Sequence, residues 1–95
     1  MPKGYVILTE SIKDPEGMKA YGRAASAAMG GVNILAVDTK ATVIEGTWHG
    51  DQTVVLEFES VDAARAWYES EAYQKAAELR QAAADCNAVI ISGFA

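Results

Sequence analysis

Residues 45–80 read EGTWHGDQTVVLEFESVDAARAWYESEAYQKAAELR, and two hydrophobic periods meet inside this stretch. Between Thr53 and Phe58, the side chains of Val54, Leu56 and Phe58 alternate with Thr53, Val55 and Glu57, which is the two-residue period of a strand. From Val61 to Arg80 the period changes. Val61, Ala64, Trp67 and Tyr68 recur at helical spacing, and Tyr73, Ala76, Ala77 and Arg80 continue on one side. Ser60 is placed to cap this segment and Asp62 falls in its first turn, where a negative charge is favourable. Ser70 kinks or restarts it, so the segment is one helix or two. The same stretch carries both tryptophans, two of the four tyrosines and the only histidine.

Working outward, Gly4 to Glu10 (GYVILTE) is β-branched and aromatic and reads as the first strand, closed by the Lys13-Asp14-Pro15 turn. Asp14 is a suitable N-cap and Pro15 suits the first turn, so Asp14 to Met29 reads as a helix with Met18, Tyr21, Ala25 and Ala28 on one face. Gly30-Gly31 ends it. Val32 to Val37 is a second strand. Thr42 to Trp48 is a further extended piece, interrupted by Gly46. The His49-Gly50-Asp51 turn leads into the strand Gln52 to Glu59, and Asn87 to Phe94 (NAVIISGF) is the last strand. The order is β-α-β-β-α-β with a short extra piece in the middle. That is the ferredoxin-like α+β plan, an antiparallel sheet with both helices on one face, and the 95 residues form one domain.

The strand faces carry a second message. Tyr5, Ile7 and Thr9 alternate with Val6, Leu8 and Glu10; Val89 and Ile91 alternate with Ala88, Ile90 and Ser92. Helices cover one sheet face, yet both faces are largely apolar. So small a domain buries only somewhat more than ~60% of its unfolded surface, while 51% of its residues are hydrophobic. An apolar open face is unusual in a monomer. A second copy is the simplest cover, because symmetric dimers are the commonest oligomers. Two sheets facing each other make a dimeric α+β barrel.

Gly4-Tyr5, Asp14, Tyr21, Gly30-Gly31, Glu45-Gly46 with Trp48, Glu57-Phe58, Ala64, Trp67-Tyr68, Ser70, Tyr73-Gln74, Arg80 and Gly93 follow one another at a spacing that resembles a domain of unknown function, the DUF1330 family. The resemblance covers nearly the whole chain. It implies the dimeric α+β barrel superfamily, whose members include monooxygenases, isomerases, haem-degrading enzymes and ligand-sensing domains, so it implies a fold and a dimer but no particular chemistry. This chain departs from similar sequences at two places. Gln52 stands where an arginine is common, which weakens any cation-held anion there. Glu71 follows Ser70 where a proline is common, which suggests a more continuous helix.

A formal charge of −5, from 13 acidic and 8 basic residues, argues against nucleic acid and anionic membrane as partners. No apolar run approaches the ~20 residues of a membrane span, and no leader pattern is visible, so the expected location is the cytoplasm. One cysteine excludes an internal disulfide. The sequence has no Cys/His cluster of metal-ligand spacing, and it implies no organic cofactor.

Two residues are candidates for catalysis. Glu57 alternates with Val55 on a largely apolar face; enclosed in a barrel it suits a general base, and otherwise it is a structural carboxylate paired with a cation or set at the open barrel end. His49 has an unperturbed pKa near neutrality, though a histidine beside glycine in a loop is usually just solvated. Arg80 can clamp a substrate carboxylate, or it pairs with a structural acid such as Glu57 or Glu45. Tyr21, Tyr73 and Trp48 are candidate pocket walls with polar tips, whereas Trp67 reads as plain core. Cys86, placed near a helix end, reads as inert. Two functions follow. One is an enzyme or binder whose pocket between sheet and helices holds Glu57, His49 and Arg80 and exchanges a proton with a small, partly apolar molecule. The other is a non-catalytic dimeric module that binds a metabolite or serves as a stable accessory domain.

Overall fold

The computed structural model describes residues 2–95. Its elements are β1 (Gly4–Ile12), α1 (Pro15–Ser26), β2 (Asn33–Asp38), β3 (Gln52–Phe58), α2 (Val61–Glu69), α3 (Glu71–Ala83) and β4 (Ala84–Ser92). The strands form a four-stranded sheet in the order β2-β3-β1-β4. Every neighbouring pair is antiparallel. This is the ferredoxin-like plan, with the helical segment between β3 and β4 split in two.

Register explains the core. Val6 lies opposite Leu56 on one side and Ile90 on the other, and Leu8 lies between Val54 and Ala88. These side chains share the helix-covered face, where Val6, Leu8, Leu56 and Ala64 are buried and Phe58, Trp67, Ile90 and Met29 pack against them. On the reverse face the rungs are Tyr5 with Glu57 and Ile91, Ile7 with Val55 and Val89, and Thr9 with Thr53 and Asn87. No helix among the described residues covers that face, and Val89 is 50% and Ile91 46% exposed. The alternation read from the sequence is therefore the alternation of the fold.

Local chemistry sets the helix ends. Ser60 accepts a hydrogen bond from the Ala63 N–H and caps α2. Ser70 is extended, at φ −62° and ψ 146°, and separates α2 from α3. Its hydroxyl donates to the Trp67 carbonyl (2.7 Å) and accepts from the Tyr73 N–H (3.3 Å). The more continuous helix implied by Glu71 is therefore not formed; the serine hydroxyl bonds both the end of α2 and the start of α3, and the Gln74 side-chain amide donates to the Tyr68 carbonyl (2.6 Å) at the same joint. α1 and α3 approach closely at Gly17, where an added Cβ would come within 2.9 Å of the Ala83 Cβ. Asp14 occupies the N-cap of α1, but its side chain makes no capping hydrogen bond. The Ala83 carbonyl instead receives the Lys13 and Asp14 N–H groups, both at 2.9 Å, tying the α3 terminus to the α1 start.

Three expected boundaries differ. α1 stops at Ser26 rather than Met29. Thr42 to Trp48 is loop, not an extra strand; Val43 and Ile44 in it are exposed. β4 starts at Ala84 directly after α3, so Cys86 lies in a strand and not at a helix end. No helix among the described residues is long and apolar enough to cross a membrane.

Candidate functional site

The loop from β2 to β3 ends in a clip that places His49. Gly50 has φ +89°, a conformation that L side chains rarely adopt. A Cβ there would stand 2.6 Å from the Glu10 carbonyl oxygen. This close approach lets the Asp51 N–H donate to the Glu10 carbonyl (2.7 Å), while the Asp51 carboxylate accepts from the Ile12 N–H (2.9 Å). The loop is thereby fastened to the end of β1.

Fastened in this way, His49 lies on the open sheet face. Its Nδ1 is 2.7 Å from the Thr9 hydroxyl, and its Nε2 is 3.6 Å from an Asp85 carboxylate oxygen. Asp85 favours the proton on Nε2, leaving Nδ1 as the acceptor beside Thr9. Next to it the Trp48 indole N–H donates to the Thr53 hydroxyl (2.9 Å). Because Thr9 and Thr53 are register partners, the imidazole and indole stand side by side. A groove of about 380 Å³ runs between them and Ile7, Asn87 and Val89. It is an apolar trough with one titratable group in its wall.

Glu57 also lies on the open face, but four residues further along β1, across from Tyr5. Its two oxygens accept from the Tyr5 hydroxyl (3.3 Å) and the Asn33 side-chain amide (2.9 Å). Partial desolvation raises the Tyr5 phenol above its ordinary pKa, and the hydrogen bond to Glu57 and the charge of Glu57 act in the same direction. Glu57 is thus part of a separate polar group, and it does not line the His49 groove.

The remaining candidates lie on the opposite side of the sheet. The Tyr21 and Tyr73 hydroxyls are 2.9 Å apart and their rings meet edge to face. Tyr73 is fully buried and stacks on Trp67 at 4.0 Å between ring centres. Burial raises the Tyr21 phenol strongly, reinforced by its hydrogen bond to Tyr73, so it stays neutral. The Arg80 guanidinium lies 5.9 Å from the Tyr21 ring centre and is only 1% exposed. Burial opposes its charge, but Tyr73 and Cys86 beside it act the other way and hold its pKa above that of an ordinary arginine.

The expected single pocket of Glu57, His49 and Arg80 is therefore not formed. Strand alternation puts Glu57 on the open face, the clipped loop brings His49 there too, and Arg80 lies beneath the helices. The acid that shares the interior with Arg80 is neither Glu57 nor Glu45 but Glu10, which is 0% exposed. Glu10 alternates in register with Val6 and Leu8, the signal that marks it as interior. Its Oε1 accepts from the Gln52 side-chain amide at 2.7 Å. Gln52, the departure from the arginine common in similar sequences, is thus the neutral partner of a buried carboxyl group. Glu10 Oε2 and Arg80 Nε and Nη2 are buried without a hydrogen-bond partner. Thr9 and Asp85 were also absent from the sequence candidates. Both are recognisable only once β1 and β4 are paired and the loop is laid over them.

The sequence matches the domain of unknown function DUF1330 over residues 3–94. The chain belongs to this family. No curated protein matches it. Among solved structures, it is similar to a protein of unknown function from Rhodopseudomonas palustris, at 19% identity and a TM-score of 0.77 over 99% of this chain and 84% of that one. A dimeric ferredoxin-like protein of unknown function from Thermobifida fusca shares 17% identity at a TM-score of 0.65, covering 96% and 91% of the two chains. SnoaB, a cofactor-independent oxygenase from Streptomyces nogalater, shares 7% identity at a TM-score of 0.70, covering 100% and 96%. At these identities the likeness is one of fold, and the family assignment leaves the chemistry to the residues themselves.

Proposed function

We propose that this family member works as a homodimer that binds a small, partly apolar molecule in the Trp48–His49 groove and exchanges a proton with it through His49. The observation that carries this is the line Asp85–His49–Thr9 in the wall of an otherwise apolar trough. With Nε2 facing a carboxylate at 3.6 Å and Nδ1 held by the Thr9 hydroxyl, His49 can act as a base through that hydroxyl, which takes a proton from the ligand as it gives its own to Nδ1. Trp48 and Ile7 supply apolar contact, and Asn87 and Thr9 orient a polar substituent. The exposed Val89 and Ile91 beside the groove support a second copy as its cover, as does the fold shared with a dimeric protein. Burial under that copy excludes water and strengthens each polar contact in the groove.

The test has three steps. Sedimentation should give twice the 10.1 kDa chain mass; a mass of one chain removes the cover. A fragment library of hydroxylated aromatic and enolisable carbonyl compounds, followed by NMR of the His49 ring, should give hits whose binding is lost in Trp48→Ala. Proton–deuterium exchange at the acidic carbon of a carbonyl hit should then stop in His49→Gln. Exchange that continues unchanged in that variant excludes His49 as the base. A non-catalytic binding module is the second reading. It is favoured by the 3.6 Å gap between His49 and a largely exposed Asp85, longer than a hydrogen bond, and it predicts hits that bind without exchange.

A further inference from the structure

The helices close their face of the sheet over β1 but not over all of β4. β4 is an edge strand. Along it Ala88 and Ile90 alternate onto the helix-covered face, opposite Leu8 and Val6. Leu8 and Val6 are buried. Ala88, one strand further out on the same face, is exposed. Its methyl group leaves room there that a larger side chain would fill.

That room is a groove of about 320 Å³, lined by Val6, Ala88, Val89 and Ile90 from the sheet and by Arg65 and Tyr68 from α2. Its size is that of a small-molecule site. Arg65 and Tyr68 are three positions apart and so stand on one side of α2. The Tyr68 ring packs on the buried Tyr73 at 5.6 Å between ring centres, which fixes it as a wall. Arg65 is the one charged side chain in the lining. Its Nη1 is 3.8 Å from an Asp62 oxygen, longer than a hydrogen bond, and the Asp62 side chain is 93% exposed. Such a pair contributes little, so the guanidinium keeps its donors for a ligand. An arginine lays its stem on apolar surface and holds its head at the water boundary.

An apolar floor, an aromatic wall and one cation select a molecule with an apolar body and a single negative head. The paired N–H groups of a guanidinium match the two oxygens of a carboxylate. A cationic ligand would meet Arg65, and a neutral one would gain only the floor. The volume limits the body to one ring or a short chain.

We propose that this groove is a second binding site, for a small monocarboxylate with an aromatic or short aliphatic body. The body lies on Val6, Ala88 and Ile90 against Tyr68, and the carboxylate accepts from Arg65. The site is on the helix side of the sheet, across from the His49 groove, and stands independently of the reading given for that groove.

Phenylacetate and phenylacetamide test this, because they share a ring and a planar head and differ in charge. The readouts are the Val6 and Ile90 methyl signals and the Tyr68 ring signals in NMR titrations of the full chain. Phenylacetate should shift them saturably and bind about tenfold more tightly than phenylacetamide, the factor expected from one charge-assisted contact. Arg65→Gln, at an exposed position, should weaken phenylacetate about tenfold and leave phenylacetamide unchanged. Ala88→Leu fills the floor and should abolish both responses. The proposal is overturned if phenylacetate gives no saturable shift, if the amide binds as tightly, or if Arg65→Gln keeps the preference for the acid. Shifts confined to the Trp48 indole and the His49 ring would place the ligand in the other groove and overturn it equally. Should Ala88→Leu not fold, the Arg65→Gln comparison decides alone.

Discussion

Replacing Gly50 by alanine strikes the clip that places His49. The new Cβ would stand 2.6, 2.7 and 2.8 Å from the Glu10 carbonyl oxygen, carbonyl carbon and nitrogen. That backbone cannot retreat, because β1 is an inner strand of the sheet, paired with β3 and with β4 at Glu10. The loop must therefore lift. The positive φ costs a residue with a side chain ~1–2 kcal/mol. Lifting also loses the Asp51 N–H bond to Glu10 (2.7 Å) and the Ile12 N–H bond to Asp51 (2.9 Å), at ~0.5–1.5 kcal/mol each. The sum is about 2–5 kcal/mol, or roughly 8–40 °C in melting temperature for a domain of this size. The assay is a thermal melt paired with an NMR measurement of the His49 ring contact to Thr9. The variant should melt lower and lose that contact. A melting temperature within ~2 °C of the parent chain, with the ring contact kept, would refute the argument that Gly50 positions His49.

Further outcomes follow from the interior and the helix joint. Arg80→Met should lower stability in urea unfolding because it removes a buried guanidinium from the interior that also holds Glu10, and adding Glu10→Leu should recover part of that loss; a double variant no more stable than the single one would show that the two side chains are not coupled. Ser70→Ala should cost ~1 kcal/mol through the lost cap at Tyr73, and a chain of unchanged stability would mean that α3 starts without it. Alkaline stability should report Tyr21. Its pKa is raised in the folded chain, chiefly by burial, so its stabilising contribution is complete below the ordinary tyrosine value of about 10 and is lost as pH rises beyond it. Melts taken from neutral pH to above that value should fall less steeply for Tyr21→Phe than for the parent chain, and equal slopes would contradict the assignment.

Much of the fold was legible because its signals are local. The alternation Val54-Leu56-Phe58, the capping Ser60 and the Ser70 break each act within a few residues. The boundary between α3 and β4 was not, because Ala82-Ala83-Ala84 is strongly helix-favouring and only pairing with β1 pulls Ala84 into the sheet. Thr42 to Trp48 has strand-like composition, but β2 pairs instead through Asn33–Asp38. The candidate side chains do not share one pocket. A sequence does not say on which side of the sheet a loop will fold, and so His49 was grouped with Arg80. Glu10 was within reach, since it shares a face with Val6 and Leu8, but an acid at a strand end is ordinarily taken for a solvated one.

The absence of any loop between α3 and β4 makes the chain intolerant of length changes there. A residue added after Ala83 would turn the helix by about 100° against the strand, or exchange the two faces of β4. In the first case Arg80 would swing away from Glu10; in the second Asp85 would turn inward and Cys86 outward. Arg80 and Asp85 are five positions apart on opposite sides of the sheet, and the direct joint fixes the helix face and the strand face relative to each other.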